Sequence, residues 1–162
     1  MEYMDLQFII LLDVMIAALL TGIVGFEREW AGKPAGFRTH MIVGGAAALL
    51  IGLGEILVAS YDTQDLQQNL RTDPLRIVEA IVVGISFIGA GTILKAKDSN
   101  NILYLTTAAS ILFSAGIGIS VGLHQYILAV GATLALITIN FLLNYLEEWL
   151  RKKKKFPVNE EE

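Results

Sequence analysis

The sequence predicts an all-α fold in which a polytopic bundle of about five transmembrane helices makes up most of the chain. Of its 162 residues, 54% are hydrophobic and only 17% are charged, whereas a soluble domain carries about 25% charged residues. The charges cluster in short blocks, and long apolar runs lie between them. Because a bilayer offers no water to bond the backbone, unbroken apolar runs of this kind are expected to be helices.

Five apolar runs are long enough to cross the hydrocarbon core, which takes about 20 helical residues. The predicted spans are residues 6–26, 41–59, 75–94, 102–123 and 126–146. The three prolines fall outside the cores of these runs, as helix geometry requires. We therefore treat residues 1–150 as one transmembrane domain. Residues 151–162 begin with five consecutive basic residues and are predicted to form a charged cytoplasmic tail, too short and too charged to fold alone.

Two joints between spans carry turn signals. Asp73 and Pro74 suit the N-cap and the first helical position of the third span. His124 and Gln125 leave room only for a tight turn, so the fourth and fifth spans are expected to be antiparallel neighbours. A re-entrant pair of helices is the alternative at that joint.

The basic residues predict the orientation, because cytoplasmic loops carry an excess of Lys and Arg. With the N-terminus outside, ten of the twelve basic residues lie on the inner side, and only Arg71 and Arg76 lie outside. The prediction is N-out and C-in. The stretch Met1–Asp5 has no basic residue of the kind that begins a signal peptide, so the first apolar run is expected to remain as a span.

Small residues spaced about one turn apart form grooves along several spans, and such grooves let membrane helices approach closely. The groove residues on the third and fourth spans are Gly84, Gly89, Gly91, Ser110, Ser114, Gly118 and Gly122. These grooves predict helix packing inside the bundle. The alternative is that one groove, above all the one on the fourth span, forms the contact of a homodimer or another homo-oligomer.

The densest polar block of the sequence lies between the first two spans, from Phe26 to His40. Glu27 and Glu29 carry the hard oxygen ligands that Mg²⁺ or Ca²⁺ prefers, which makes them candidate metal ligands, although Arg28 and Arg38 can equally pair with them. The glycines and the proline of this block predict a shaped loop. The alternative to a functional role is a salt-bridged anchor at the membrane interface, with an aromatic residue in the headgroup belt.

Polar residues inside the spans are the other functional candidates. Asp13 lies about two turns into the first span, where an acidic group is either functional or close enough to the interface to be hydrated. Glu79 follows Arg76 by three residues, a spacing that allows an ion pair on one helix face. Thr106 and Thr107 stand near the start of the fourth span and are expected to face the bundle or the inner loop.

Several classes of function find no support in the sequence. Without cysteine, disulfides and thiolate metal sites are excluded. The two histidines, His40 and His124, are predicted at opposite membrane faces, so they cannot share one catalytic or metal site. Nucleotide-binding and zinc patterns are absent from the sequence. We therefore expect neither an enzyme nor a resident cofactor, and the expected surroundings are the lipid bilayer and other membrane proteins, not nucleic acid.

Two stretches together resemble the MgtC/SapB family of bacterial membrane proteins. The first runs from Gly22 to His40, and the second combines Asp73–Arg76 with Gly84–Gly91 and, later, Leu105–Ala109. The similarity covers roughly residues 10 to 145. Carried over position by position, the family's candidate functional residues are Glu27, Arg28, Glu29, Arg38, Thr39, Asp73, Arg76, Gly89, Gly91, Thr106 and Thr107.

The resemblance implies a multi-pass protein of the bacterial cytoplasmic (inner) membrane with about five helices. It also implies a link to magnesium homeostasis, in which Mg²⁺ is a transported substrate or a ligand. The alternative that the resemblance implies is a regulator without transport activity that binds other membrane proteins, including ATP synthase. The sequence alone leaves these two functions open.

Overall fold

The computed structural model describes residues 2–61, 75–94 and 104–154, and it describes the side chains of 4–58, 75–93 and 104–142. Within these ranges the chain forms five helices, which confirms the predicted all-α bundle. The helices are α1 (Glu2–Trp30), α2 (Phe37–Tyr61), α3 (Leu75–Leu94), α4 (Leu105–Gly122) and α5 (Tyr126–Lys154).

Four of the helices are long and apolar enough to cross a membrane. Their spanning stretches are Met4–Trp30, Phe37–Val58, Leu75–Ile93 and Leu105–Gly122. In α5 the described apolar stretch, Tyr126–Leu142, is shorter, although the helix itself is 29 residues long. The fifth span and the orientation of the bundle thus stay predictions. The two ends of the bundle are named below by the connections they carry, the α1–α2 end and the α4–α5 end.

The helices extend beyond the predicted spans at both ends of the chain. Helix α2 begins at Phe37, four residues before the predicted span, because the Phe37 backbone N–H donates to the Glu29 carboxylate at 2.9 Å and so satisfies one of the free donors of a first helical turn. Gly32, with a φ of 66°, turns the chain between α1 and α2. Helix α5 continues to Lys154, so the start of the predicted tail is helical, and residues 155–162 lie outside the described part.

Helices α1 and α2 pack antiparallel along most of their length. Gly44 lies against Thr21, and Gly52 lies against Ile10. At the α1–α2 end the backbones themselves come close together, since a Cβ added at Gly25 would lie 2.7 Å from Phe37 Cα. The small residues of the two helices therefore set their separation.

Helix α4 packs parallel to α2 through its groove of small residues. Ser110, Ser114, Gly118 and Gly122 are all buried, and a Cβ at Gly118 would clash with the Gly44 carbonyl oxygen and lie 2.9 Å from Ala47 Cβ. Packing inside the bundle is thus the use of this groove. The groove is therefore not free for a homodimer contact, because α2 of the same chain fills it. The predicted homodimer or other homo-oligomer stays a prediction.

Helix α3 is the least enclosed of the four spanning helices. Only 11% of its spanning stretch is buried, compared with 39% to 50% for α1, α2 and α4. Gly89 faces Ala108 of α4 at 3.4 Å, but nothing lies within 4 Å of a Cβ added at Gly84 or Gly91. The packing predicted for these two glycines is therefore not made within the described part of the chain.

Candidate functional site

A buried arginine is the centre of a polar cluster at the α1–α2 end. Arg28, on the last turn of α1, is only 2% exposed, and its Nη2 donates a long hydrogen bond of 3.5 Å to Thr106 Oγ1 of α4. Among the described residues the guanidinium makes no ion pair with Glu27 or Glu29, so the predicted pairing is not formed. A buried charge without an ionic partner is costly in free energy.

Helix α2 adds a buried histidine to the same end. His40 is fully buried, and its Nδ1 lies 2.8 Å from Ser114 Oγ of α4. Room for the ring comes from α1, because a Cβ added at Gly25 would lie 2.9 Å from His40 Cβ. Arg28 lies near enough for its charge to act on the imidazole.

Helix α4 contributes a buried hydroxyl from Thr107, whose carbonyl oxygen accepts a hydrogen bond of 2.9 Å from Ser110 Oγ. Three buried polar atoms in the described part lack a hydrogen-bond partner, and they belong to Arg28 Nε, His40 Nε2 and Thr107 Oγ1. Each such atom costs about 1–3 kcal/mol. The bundle therefore retains, at a cost in stability, polar groups from α1, α2 and α4 at one end, and we take these groups as the candidate functional site.

The two glutamates that flank Arg28 point to different neighbours. Glu27 Oε2 accepts a hydrogen bond of 2.9 Å from Asn140 Nδ2 of α5, whereas Glu29 caps the start of α2 at Phe37. The described residues contain no group of three or more His, Asp or Glu side chains placed to hold a metal ion. A metal site at Glu27 and Glu29 accordingly stays a prediction.

The remaining candidates from the sequence lie outside this cluster. Arg38 is exposed and Thr39 is half-buried, both on the first turn of α2. Arg76 and Glu79 are both exposed on α3, and the structure records no ion pair between them, so the predicted pairing on one helix face is wrong. Asp73 falls outside the described residues.

A second polar cluster lies at the α4–α5 end and contains Asp13. This carboxylate is only 2% exposed. Its Oδ1 accepts a hydrogen bond of 2.8 Å from the Tyr126 hydroxyl, and its Oδ2 lies 3.1 Å from His124 Nε2. Asp13 is thus buried and partnered, so the predicted alternative of a hydrated carboxylate is not observed. A functional role for Asp13 stays a prediction.

Two carboxylates of α1, those of Asp13 and Glu27, bond to α5 and fix the register of the two helices. Asp13 with Tyr126 and Glu27 with Asn140 are both pairs separated by 113 residues, so α1 and α5 run parallel. The two contacts are about 21 Å apart along the helices, at 1.5 Å per residue. Asp13 and Glu27 thus each contact α5 at a different end of the bundle.

Four residues of the two polar clusters and their contacts were not among the site residues predicted from the sequence, namely His40, His124, Tyr126 and Asn140. A usable signal existed for His124, because the predicted topology puts Asp13 and the turn at His124 toward the same side of the membrane. No local signal marks His40 as buried. Its burial depends on the register of α1, α2 and α4, which is a property of the folded bundle.

Long apolar helices, small residues at their contacts and buried polar groups at both ends define the class of this protein, a multi-pass α-helical membrane protein. Residues 14–149 match the MgtC family. The chain belongs to that family, and the match confirms the resemblance on which the candidate residues were chosen.

Named relatives come from several bacteria. The chain is 38% identical over 139 residues to "Putative magnesium transporter YhiD" of Escherichia coli K12, covering 84% of the chain and 60% of the relative. It is 35% identical over 161 residues to "Protein MgtC" of Salmonella typhimurium LT2, covering 99% and 62%. An uncharacterized Haemophilus influenzae protein is 36% identical over 147 residues, covering 91% and 60%. The chain thus spans about 60% of the length of these relatives. No solved structure matches it.

Proposed function

We propose that this protein is a component of bacterial magnesium homeostasis that acts through contacts with other membrane helices, without carrying Mg²⁺ through its own bundle. The cytoplasmic membrane, with the N-terminus outside and the C-terminus inside, is the proposed location. The magnesium part of the proposal is supported by membership of the MgtC family and by the transporter name of its Escherichia coli relative.

The exposed face of α3 is the observation that carries the proposed mode of action. Along α3, exposed residues recur at alternating spacings of four and three, which is the period of a helix that packs against another helix in a left-handed crossing. We call this line the α3 seam, and its residues are Arg76, Ala80, Val83, Phe87 and Ala90. Phe87 is 82% exposed and Val83 is 69% exposed.

The interior of the bundle supports the same proposal. Small and aliphatic side chains of α1, α2, α4 and α5 fill it between the two polar ends, among them Ala17, Val24, Ala48 and Val121. Helix backbones touch where Gly118 meets Gly44. A surface that is free to bind thus lies on α3, while the space between the other helices is closed.

A test of the proposal removes the large side chains of the α3 seam. In a bacterial strain whose growth at low Mg²⁺ depends on this protein, the double variant Val83→Ala and Phe87→Ala is expected to fail to grow. Its amount and its melting temperature are expected to stay near those of the wild type, because both side chains contact little of the bundle. The measurement is growth at limiting Mg²⁺ beside the amount of protein in the membrane.

The matched control lies on α5, where Ile127 is 93% exposed and Leu134 is 61% exposed. The double variant Ile127→Ala and Leu134→Ala is expected to grow like the wild type. Normal growth of the α3 variant, or equal failure of the α3 and α5 variants, would contradict a specific role for the α3 seam.

Transport of Mg²⁺ is the second candidate function, and two carboxylates of α1 favour it, that of Asp13, which is buried, and that of Glu27, which is half-buried. The deciding measurement is Mg²⁺ flux into proteoliposomes that contain wild type, Asp13→Asn or Glu27→Gln. We expect wild-type flux no higher than that of empty liposomes. A wild-type flux that falls in both variants would establish transport and overturn the proposal.

A further inference from the structure

A cavity of about 540 Å³ lies at the α4–α5 end, between α2, α3 and α4. Its wall is mostly aliphatic and includes Ile51, Val58 and Val78. Two polar side chains also line it, Glu55 of α2 and His124 of the α4–α5 turn. This cavity is separate from the Arg28 cluster and from the α3 seam.

Glu55 lies in the last turn of the spanning stretch of α2, Phe37–Val58. The neighbouring Gly54 contacts Ile77, the third residue of α3, and α4 ends at Gly122, which packs against Ile51 one turn earlier on α2. Helix α3 thus begins, and helix α4 ends, close to the level of Glu55. A carboxylate at that level lies near lipid headgroups, while the cavity below it lies near acyl chains.

The negative group in the lining of the cavity is the carboxylate of Glu55. Glu55 is exposed, and within the described residues no hydrogen bond or ion pair engages its carboxylate. His124 turns its Nε2 toward Asp13 at 3.1 Å, which leaves Nδ1 as the ring nitrogen away from that carboxylate.

We propose that this cavity binds one phospholipid with an ammonium headgroup, such as phosphatidylethanolamine. An acyl chain fills the aliphatic part, and the ammonium group donates to the Glu55 carboxylate. The pairing of charges argues for this occupant, because an anionic headgroup would be repelled by Glu55. A bound metal ion fits less well, since the described residues supply no group of three His, Asp or Glu ligands there.

The test measures lipid binding to the full chain in detergent by native mass spectrometry. Phosphatidylethanolamine and phosphatidylglycerol with identical acyl chains are added in turn. Wild type is expected to bind the ethanolamine lipid about fivefold more tightly, which is the ratio that about 1 kcal/mol from a partly exposed ion pair produces. Equal binding of the two lipids by the wild type would overturn the proposal without recourse to any variant.

Two single variants test whether Glu55 causes the preference for the ethanolamine lipid. Glu55→Gln is expected to lose the preference for the ethanolamine lipid, whereas Glu79→Gln, which changes an exposed glutamate outside the cavity, is expected to keep it. Retention by Glu55→Gln, or equal loss in both variants, would contradict the assignment of Glu55.

A third variant tests the cavity itself. Val58→Trp places a large side chain in the cavity and is expected to weaken the binding of both lipids, since both use the same acyl chains. Unchanged binding by Val58→Trp would show that the lipids bind elsewhere on the surface and would overturn the site. The outcome does not depend on the magnesium proposal, because no step of the test involves Mg²⁺ or a partner protein.

Discussion

At the scale of single residues, some buried polar groups of the bundle have hydrogen-bond or ionic partners, and others keep an atom without a partner. Asp13 accepts from Tyr126 and meets His124, so its burial is compensated. Arg28, His40 and Thr107 each keep a buried atom without a partner in the described part. The bonds of Asp13 contribute to stability, whereas the unpartnered atoms of Arg28, His40 and Thr107 reduce it. The Arg28 cluster is therefore the better candidate for a functional role.

The contact between Asp13 and Tyr126 yields a prediction at this scale. Tyr126→Phe removes a hydrogen bond to a buried carboxylate and is expected to lower the free energy of unfolding by about 1.5–3 kcal/mol. In a double-mutant cycle with Asp13→Asn, the coupling energy is expected to exceed about 0.5 kcal/mol. The measurement is unfolding of the purified protein in detergent.

The control for this cycle is Tyr104→Phe, which removes an exposed hydroxyl before α4 and is expected to have little effect. Additive effects of Tyr126→Phe and Asp13→Asn would mean that the two side chains do not interact in solution.

At the scale of helices, the surroundings of each glycine show whether that face of the helix touches another helix or is open. Gly118 and Gly116 lie two residues apart on α4, yet Gly118 meets the Gly44 backbone whereas nothing lies within 4 Å of a Cβ at Gly116. The contact between α2 and α4 also aligns Ser114 with His40 at 2.8 Å. The helix packing therefore positions the polar cluster at the α1–α2 end.

These two glycines form a matched pair of variants. Gly118→Ala forces α2 and α4 apart and is expected to lower the free energy of unfolding by more than about 2 kcal/mol. Gly116→Ala, on the open face of the same helix, is expected to leave it unchanged or raise it by up to about 1 kcal/mol, since alanine favours the helix. A loss of equal size in both variants would show that the α2–α4 contact is not close.

The sequence predicted the helices well, because each apolar run long enough to span became a helix. It predicted less well which helices contact each other and which face of each helix makes the contact. The groove of the fourth span was visible as a spacing of small residues, but a spacing does not say whether the same chain or a second copy fills the groove. The burial of His40 and the hydrogen bond between Glu27 and Asn140 depend on the register between helices, which a linear pattern does not contain.

At the scale of the whole molecule, α1, α2 and α4 form the packed centre, α5 bonds to α1 at two levels, and α3 is the least enclosed of the four spanning helices. In the proposed mode of action, a helix of another protein or of a second copy lies against the α3 seam. The family match and the name of the Escherichia coli relative support the proposed link to magnesium, and the proposed mode of action rests on the α3 seam.

The most direct test of this account is cysteine cross-linking on α3 in native membranes, because the chain has no cysteine of its own. Val83→Cys is expected to form a covalent adduct, either with a second copy or with another membrane protein, when a short thiol- and amine-reactive cross-linker is added. Ile127→Cys on α5 is expected to form little or none. Adducts at Ile127→Cys but not at Val83→Cys would contradict the claim that this protein acts through α3.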